Sequence, residues 1–145
     1  MPNFPESELV KSAFFRIRDH RGTFVCVDVP LLGRCVDLVY LQNDLVITVE
    51  FKLRDWRRAI TQARDHLLAA DYAYICMPNR PISKLLRQAL DRNGIGLVFF
   101  AEQGAWPFSI AVQAKRSLDT WRHARDTVLA YMRQAHLGND KTAIA

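Results

Sequence analysis

The pattern of hydrophobic and polar positions predicts regular elements joined by short turns. The first is an amphipathic helix that should end near residues 21–22, with Asn3 as its cap and Pro5 in its first turn. Its apolar positions are Leu9, Val10, Ala13, Phe14 and Ile17. Three β-like runs follow at 23–29, 34–41 and 45–53. Their close succession predicts an antiparallel meander.

The second half of the chain alternates between helical and β-like patterns. Helices are predicted at 54–70, 81–92 and 118–135, and strands at 72–77, 95–100 and 108–112, the last at a sheet edge. The order is therefore α-β-β-β-α-β-α-β-β-α. A meander followed by such alternation is typical of an α/β fold, with a mixed β-sheet flanked by helices.

Length and composition favour one domain. The chain has 145 residues, half of them hydrophobic, which is enough for one core. We expect a single domain at 1–136 and a frayed C-terminal tail at 137–145. The apolar runs are shorter than the roughly 20 residues that cross a bilayer. The first residues lack the basic and apolar segments of a secretory signal, so a cytoplasmic location is expected.

Charge and cysteine usage add little to this picture. A formal net charge of +5 favours a polyanionic partner, for which nucleic acid is the obvious candidate. The three cysteines, Cys26, Cys35 and Cys76, lack zinc-ligand spacing. We expect them to be reduced core residues.

Two acidic residues are predicted to oppose each other on neighbouring strands. A two-residue loop of Asn43 and Asp44 tolerates the left-handed backbone that tight hairpins need. That loop pairs Asp37 with Glu50, with Cβ atoms roughly 4.5–5.5 Å apart. The same register pairs apolar residues on the other face: Tyr40 with Ile47, Leu38 with Val49, and Val36 with Phe51.

The chemistry predicted for this pair depends on a cation. Strand alternation places Lys52 on the same face as Glu50. Two carboxylates beside an ammonium group suit Mg²⁺ or Mn²⁺, which acidifies a bound water and polarises a phosphoryl group. Lys52 would orient the water and offset negative charge in the transition state. Phosphodiester hydrolysis is the reaction that these groups suit.

Asp37 followed by Glu50-Phe51-Lys52 resembles the bipartite motif of the PD-(D/E)XK nuclease superfamily, with Val36 where the motif name has Pro. A helix with Glu before it and a helix with Gln62 after it extend the resemblance over residues 6–77. The resemblance implies a restriction-endonuclease-like fold. It also implies that Asp37, Glu50 and the Phe51 carbonyl bind the metal, and that Lys52 serves the attacking water.

The acid on the first helix and the residues of the next helix complete the predicted catalytic set. The resemblance implies a helix Glu that binds the metal or its water. Glu6 shares the apolar face of the first helix and is preferred, with Glu8 left open. Gln62, with His66 one turn later, is similar to the Gln-x-x-x-Tyr signature of RecB-like nucleases. The alternative subgroup that the sequence resembles is the small nucleases like the archaeal Holliday-junction resolvases.

A cluster of basic residues follows Lys52. Arg54, Arg57, Arg58 and Arg64 are predicted to contact phosphates, the alternative being an ordinary solvated helix surface.

The function expected from the sequence is a Mg²⁺-dependent DNA endonuclease that acts in repair, recombination or defence. Two alternatives remain: a non-catalytic member of the nuclease fold that binds nucleic acid or protein, and a structure-selective junction resolvase that works as a homodimer. The intact set of Asp37, Glu50 and Lys52 argues against the non-catalytic alternative. No separate DNA-reading module is evident, so a partner protein could supply substrate specificity.

Overall fold

A computed structural model describes the backbone of residues 5–139 and the side chains of 5–137. The elements follow the predicted order. They are α1 (Glu6–Arg18), β1 (Phe24–Leu31), β2 (Arg34–Gln42), β3 (Leu45–Phe51), α2 (Trp56–His66), β4 (Tyr72–Met77), α3 (Lys84–Asn93), β5 (Gly96–Phe100), β6 (Phe108–Val112) and α4 (Arg122–Asn139). In the described residues, no helix is long and apolar enough to cross a membrane.

The six strands form one mixed sheet in the order β1-β2-β3-β4-β5-β6. Strands β1, β2 and β3 are antiparallel, β3, β4 and β5 are parallel, and β6 returns antiparallel to β5. The predicted α/β class, the meander and the mixed sheet are therefore confirmed.

Several element boundaries differ from the prediction. Helix α1 begins after Pro5, which occupies the N-cap position without a side-chain cap, while Asn3 lies outside the described residues. Strand β3 ends at Phe51, and α2 begins at Trp56 because the Asp55 carboxylate accepts a hydrogen bond from Arg58 N. Helix α4 begins at Arg122 and runs into the predicted tail. Residues 140–145 of that tail lie outside the described residues.

The β2–β3 hairpin has the predicted register. Asn43 and Asp44 both have positive φ, 52° and 63°, as the two-residue loop requires. The ladder runs from Gln42 opposite Leu45 to Leu38 opposite Val49. It ends one step before the predicted pair of Asp37 and Glu50.

The predicted face of Val36 is wrong. Leu38 packs with Phe51 on the α1 side of the sheet, whereas Val36 packs on the opposite side with Val39. The reason lies in β1, where Asp28 has a φ of 51° and the ladder with β2 skips the position opposite Asp37. A residue with a left-handed backbone interrupts the alternation of side chains between the two faces of the sheet. Residues before and after this point therefore no longer follow the same alternation.

Three apolar clusters cover the two faces of the sheet. Helix α1 packs on one face through Leu9, Ala13, Phe14 and Ile17. Helices α2 and α3 cover β4 and β5 on the other face, and α4 lies beside them against β1. The C-terminal ends of β3 and β4 are thus bordered by α2.

A buried acid, which the sequence pattern did not identify, ties the hairpin to α4. Asp71 Oδ2 accepts hydrogen bonds from Val46 N at 2.7 Å and Arg125 Nη1 at 2.5 Å, and Arg125 Nη2 donates to Asp44 O at 2.9 Å. Burial opposes ionisation of Asp71, but the hydrogen bond from Arg125, the one from Val46 N and the charges of Arg125 and Arg116 hold its pKa below the ordinary value.

We expect Asp71→Asn to lower the free energy of unfolding by about 2–4 kcal/mol, because it leaves Arg125 without its carboxylate. The loss should shrink at acid pH. A lowered folded-state pKa gives stability above the ordinary value near 3.8, and this stability is lost as the pH falls through the folded-state pKa. Urea unfolding at several pH values measures both effects.

Asp91→Asn is the matched control. Its carboxylate pairs with Arg87 on the exposed surface of α3, so its loss should change the unfolding free energy by about 0.5 kcal/mol or less. Equal effects of the two substitutions would contradict a structural role for Asp71.

Candidate active site

Asp37 and Glu50 meet where the β2–β3 ladder ends. Asp37 Oδ2 accepts a hydrogen bond from Phe51 N at 2.8 Å. The Asp37 carboxylate thus takes the place of a backbone carbonyl of β2 as the acceptor for β3. The N–H of the next residue, Lys52, donates to Cys76 O of β4 at 3.0 Å. The backbone N–H and C=O groups of one residue in a strand point to the same side, and those of the next residue point to the opposite side. The N–H and C=O groups of Phe51 therefore face β2 and the acid pair.

Glu50 is a buried carboxyl group with an unsatisfied oxygen. Its residue is 5% exposed, and Oε2 has no hydrogen-bond partner among the described residues. Burial, followed by the charge of Asp37 and a side-chain hydrogen bond with it, raises the pKa of Glu50 to about 9, against smaller lowering effects of a backbone hydrogen bond and the charge of Lys52. Without a cation, Glu50 therefore keeps its proton at neutral pH.

Two residues of α2 approach Glu50. His66 Nε2 lies 3.6 Å from Glu50 Oε2, beyond hydrogen-bond distance, and Gln62 lines the same cavity of about 180 Å³. Both Gln62 Oε1 and His66 Nδ1 are buried without a hydrogen-bond partner in the described part of the chain. Asp65 and Leu68 also line the cavity, and the turn between β1 and β2 with its flanking residues forms the remaining wall. Its lining residues are Leu31, Leu32, Arg34 and Cys35.

His66 is the site residue that sequence reasoning missed. The RecB-like signature has Tyr at this position, and no role was predicted for the histidine. His66 is nevertheless 5% exposed and contacts the predicted catalytic Glu50. Burial lowers the pKa of His66 to about 4, against the opposing charges of Asp37 and Asp65. It is therefore a neutral imidazole at physiological pH. Its position one helical turn after Gln62 was the available signal.

Lys52 lies just beyond the end of β3 instead of on it. The side chain is half-buried and forms no ion pair with any residue in the described range 5–137. Its charge nonetheless acts on Glu50, whose pKa it lowers. The ammonium group is therefore close to the acid pair and available to a ligand.

Glu50 and Gln62 line the cavity, whereas the other predicted site residues do not. Glu6 is half-buried in the first turn of α1, whereas Glu8 is exposed. Within the described residues, Glu6 forms no hydrogen bond or ion pair with Asp37 or Glu50. Four predicted phosphate-contacting residues are exposed on or just before α2: Arg54, Arg57, Arg58 and Arg64.

The prediction that all three cysteines are core residues is wrong for one of them. Cys26 and Cys76 are buried, but Cys35 is exposed at the rim of the cavity. It lies beside the Leu32-Gly33 turn, whose two positive φ angles place the start of β2 at the surface.

The donor atoms fit a small, hard cation. In the described residues, no group of three or more His, Cys, Asp and Glu side chains could hold a metal ion. Mg²⁺, however, is commonly held by one or two carboxylates and keeps several waters. Asp37 and Glu50 offer two carboxyl groups, and Oε2 of Glu50 is a buried oxygen without a hydrogen-bond partner in the described residues, as a site for such a cation requires.

Comparisons with known proteins bear on the fold. No family model matches the sequence, and no curated protein matches it. SPO1766, a protein of unknown function from Silicibacter pomeroyi, aligns over 98% of this chain and 94% of its own, with a TM-score of 0.63 and 18% identity. An XisH family protein from Nostoc punctiforme aligns over 72% of this chain and 97% of its own, with a TM-score of 0.51 and 13% identity. At these levels of identity the two likenesses show a shared α/β fold and do not assign a function.

We expect Glu50→Gln to stabilise the metal-free protein by about 1 kcal/mol or more, because it removes a buried ionisable group beside Asp37. The gain should grow with pH. Unfolded Glu50 ionises above about 4.5, whereas the folded protein holds the proton to about 9, so the wild type loses stability as the pH rises through this window. Thermal unfolding in EDTA measures the difference.

Glu102→Gln, in the exposed loop before β6, is the control and should leave the stability near that of the wild type. A Glu50→Gln protein that is less stable than the wild type throughout this pH range would show that Glu50 supports the fold.

Proposed function

We propose that this protein is a Mg²⁺-dependent DNA endonuclease that hydrolyses phosphodiester bonds in repair, recombination or defence. The observation that carries the proposal is the approach of Asp37 to a buried Glu50 whose Oε2 has no partner. A fold gains no stability from two carboxyl groups held together out of water. A cation bound by both carboxylates would offset their repulsion and would explain why the two groups lie together.

The metal would be held by Asp37, Glu50 and the carbonyl of Phe51, which faces the acid pair. When bound, Mg²⁺ or Mn²⁺ supplies positive charge to a phosphoryl oxygen and lowers the pKa of a water. Lys52 donates a hydrogen bond to the attacking water and balances negative charge as the P–O bond breaks. Gln62 and His66 face Glu50 from α2 and restrict the orientations open to its carboxylate.

Helix α2 connects this site to a nucleic-acid surface. Gln62 faces the cavity, while Arg57, Arg58 and Arg64 are exposed elsewhere on the same helix. The guanidinium of Arg57 lies 4.3 Å from the ring centre of Trp56, which holds it against the surface. A phosphate backbone bound along α2 would therefore run beside the acid pair. Glu6 remains the proposed helix acid, acting through water.

Cleavage is the direct test of this proposal. Purified protein should cut DNA in Mg²⁺ or Mn²⁺ and not in EDTA, and Asp37→Asn or Glu50→Gln should reduce cleavage to background. Supercoiled, linear, branched and single-stranded DNA, with a matched RNA, define the substrate. Glu102→Gln and Asp91→Asn, both exposed and away from the site, are the controls.

Two outcomes would contradict the assignment. Wild-type rates for Glu50→Gln in Mg²⁺ would place catalysis elsewhere. Salt-sensitive binding to nucleic acid without cleavage of any substrate would instead favour the non-catalytic alternative. Selective cutting of branched DNA by a dimer would identify a resolvase.

Lys52 should separate catalysis from metal binding, because an ammonium group cannot coordinate a cation. We expect Lys52→Ala to lower the single-turnover rate by about 10²-fold or more and to leave Mn²⁺ affinity unchanged or higher. Lys52→Arg should not restore the rate, because a planar guanidinium is a poorer point donor to one water. Calorimetric titration and rapid-quench cleavage measure the two quantities.

Lys84→Ala removes an exposed ammonium group at the start of α3 and should change neither quantity. If Lys52→Ala loses metal binding as fully as Asp37→Asn does, Lys52 acts by holding the carboxylates in place and has no separate catalytic role.

A further inference from the structure

A second cavity, of about 280 Å³, lies on the opposite face of the sheet from Glu50. Strands β2 to β6 and the loop before β6 supply its walls, and no residue of α1 lines it. The lining residues with hydrogen-bonding side chains are Tyr40, Gln42, Tyr72, Tyr74, Trp106 and Gln113. We name it the aromatic pocket.

The aromatic pocket exists because the α1 face is only partly covered. Helix α1 packs mainly against β1, β2 and β3, while α2, α3 and α4 cover the other face. Gly96 makes room on β5, since a Cβ there would collide with the ring of Tyr74. The Tyr74 ring therefore lies directly against β5 at Gly96.

One wall of the aromatic pocket is fixed by an arginine of α1. The Arg16 guanidinium donates to the carbonyls of Ala101 at 2.6 Å, Gly104 at 3.1 Å and Trp106 at 3.1 Å. These three bonds hold the loop between β5 and β6. Trp106 therefore stands at 5.4 Å, edge to face, from the ring of Tyr40.

The walls combine aromatic rings with uncharged hydrogen-bonding groups. None of the residues that line the aromatic pocket is charged. Gln113 Nε2 donates to the Tyr74 hydroxyl at 2.8 Å, which turns the amide of Gln113 toward the pocket edge. The Gln42 side chain is exposed and makes no hydrogen bond within the described residues. Burial raises the pKa of Tyr40, so its phenol stays a neutral donor.

We propose that the aromatic pocket binds an unpaired base of the nucleic-acid substrate. Aromatic side chains stack on the faces of unpaired bases, and amides and phenols bond to their edges. The pocket offers both kinds of group and room for a purine. The identification of the partner as nucleic acid rests on the proposed function.

The uncharged lining distinguishes a base from other occupants. A free nucleotide would bring a phosphate into a pocket with no cation, whereas in a strand the phosphates can lie outside. A second copy of the chain would need to bury about 800 Å² of surface on each partner, with an apolar centre. Ile110, at 59% exposed, is the one strongly exposed large apolar residue of the described chain that lines this pocket.

The aromatic pocket and the acid pair lie on opposite faces of β3. Val49 lines the pocket, and Glu50, the next residue, lines the other cavity. A base in the pocket therefore belongs to a nucleotide away from the bond that is cut. It acts as an anchor that strengthens substrate binding and leaves the chemical step unchanged.

The test compares two DNA duplexes with single-stranded tails, one with normal bases and one with abasic sites in the tail. Fluorescence anisotropy in EDTA measures affinity without cleavage. The wild type should bind the base-bearing tail about tenfold more tightly or better. Tyr72→Ala should lose this preference, and quenching of tryptophan fluorescence by the tail should fall in Trp106→Phe.

Matched variants separate the pocket from a general effect on folding. Tyr131→Ala removes an exposed tyrosine of α4, outside the pocket, and should keep the full preference for bases. Gln42→Ala, at an exposed position, tests the pocket edge if Tyr72→Ala fails to fold. Gln42→Ala should weaken binding of the base-bearing tail by less than Tyr72→Ala does and should leave affinity for the abasic tail equal to that of the wild type, as expected for coupled groups.

Equal affinity of the wild type for the two tails would overturn the proposal. So would a dimer in sedimentation that Ile110→Arg dissociates, since the second copy would then cover the pocket. Failure of the nuclease proposal gives a different result. A protein that prefers base-bearing tails but never cuts in Mg²⁺ would support base binding by the pocket and contradict the nuclease proposal. A protein that cuts DNA but binds both tails equally would support the nuclease proposal and contradict base binding by the pocket.

Discussion

The register of the β2–β3 hairpin is the constraint on which the candidate site depends. Its two-residue turn, Asn43 and Asp44, needs positive φ at both positions and leaves one pairing of the strands. Arg125 holds that turn by bonding Asp44 O and the buried Asp71 carboxylate. A slip of one residue would move Glu50 to the α1 face and separate it from α2.

The acid pair opposes the stability that this register provides. Burial and the charge of Asp37 both disfavour ionised Glu50, and the neutral His66 beside it offers no compensating charge. Just before β4, by contrast, buried Asp71 has two arginines and a backbone N–H as partners. The fold thus can satisfy a buried carboxylate and does so at Asp71. That it does not do so at Glu50 is typical of residues kept for a ligand.

Much of the fold and part of the site could be predicted from sequence because they follow from periodicity and turn chemistry. Alternation in β2 and β3, together with Asn43 and Asp44, was sufficient to predict the ladder up to Leu38 and Val49. The position of Val36 could not be predicted, because it depends on the left-handed backbone at Asp28 in another strand. The contact of His66 with Glu50 depends on how α2 packs, which helical periodicity alone does not determine.

Strand β3 joins two surfaces of opposite character through adjacent residues. On one side, Glu50 faces polar groups that lack partners, which suits a cation and phosphate oxygens. On the other, Val49 faces uncharged aromatic rings, which suits a planar base. Phosphates and bases are the two chemically distinct parts of a nucleic-acid strand, and alternation along one strand separates the groups that would bind each. The sheet that positions the acid pair therefore also forms the floor of the aromatic pocket.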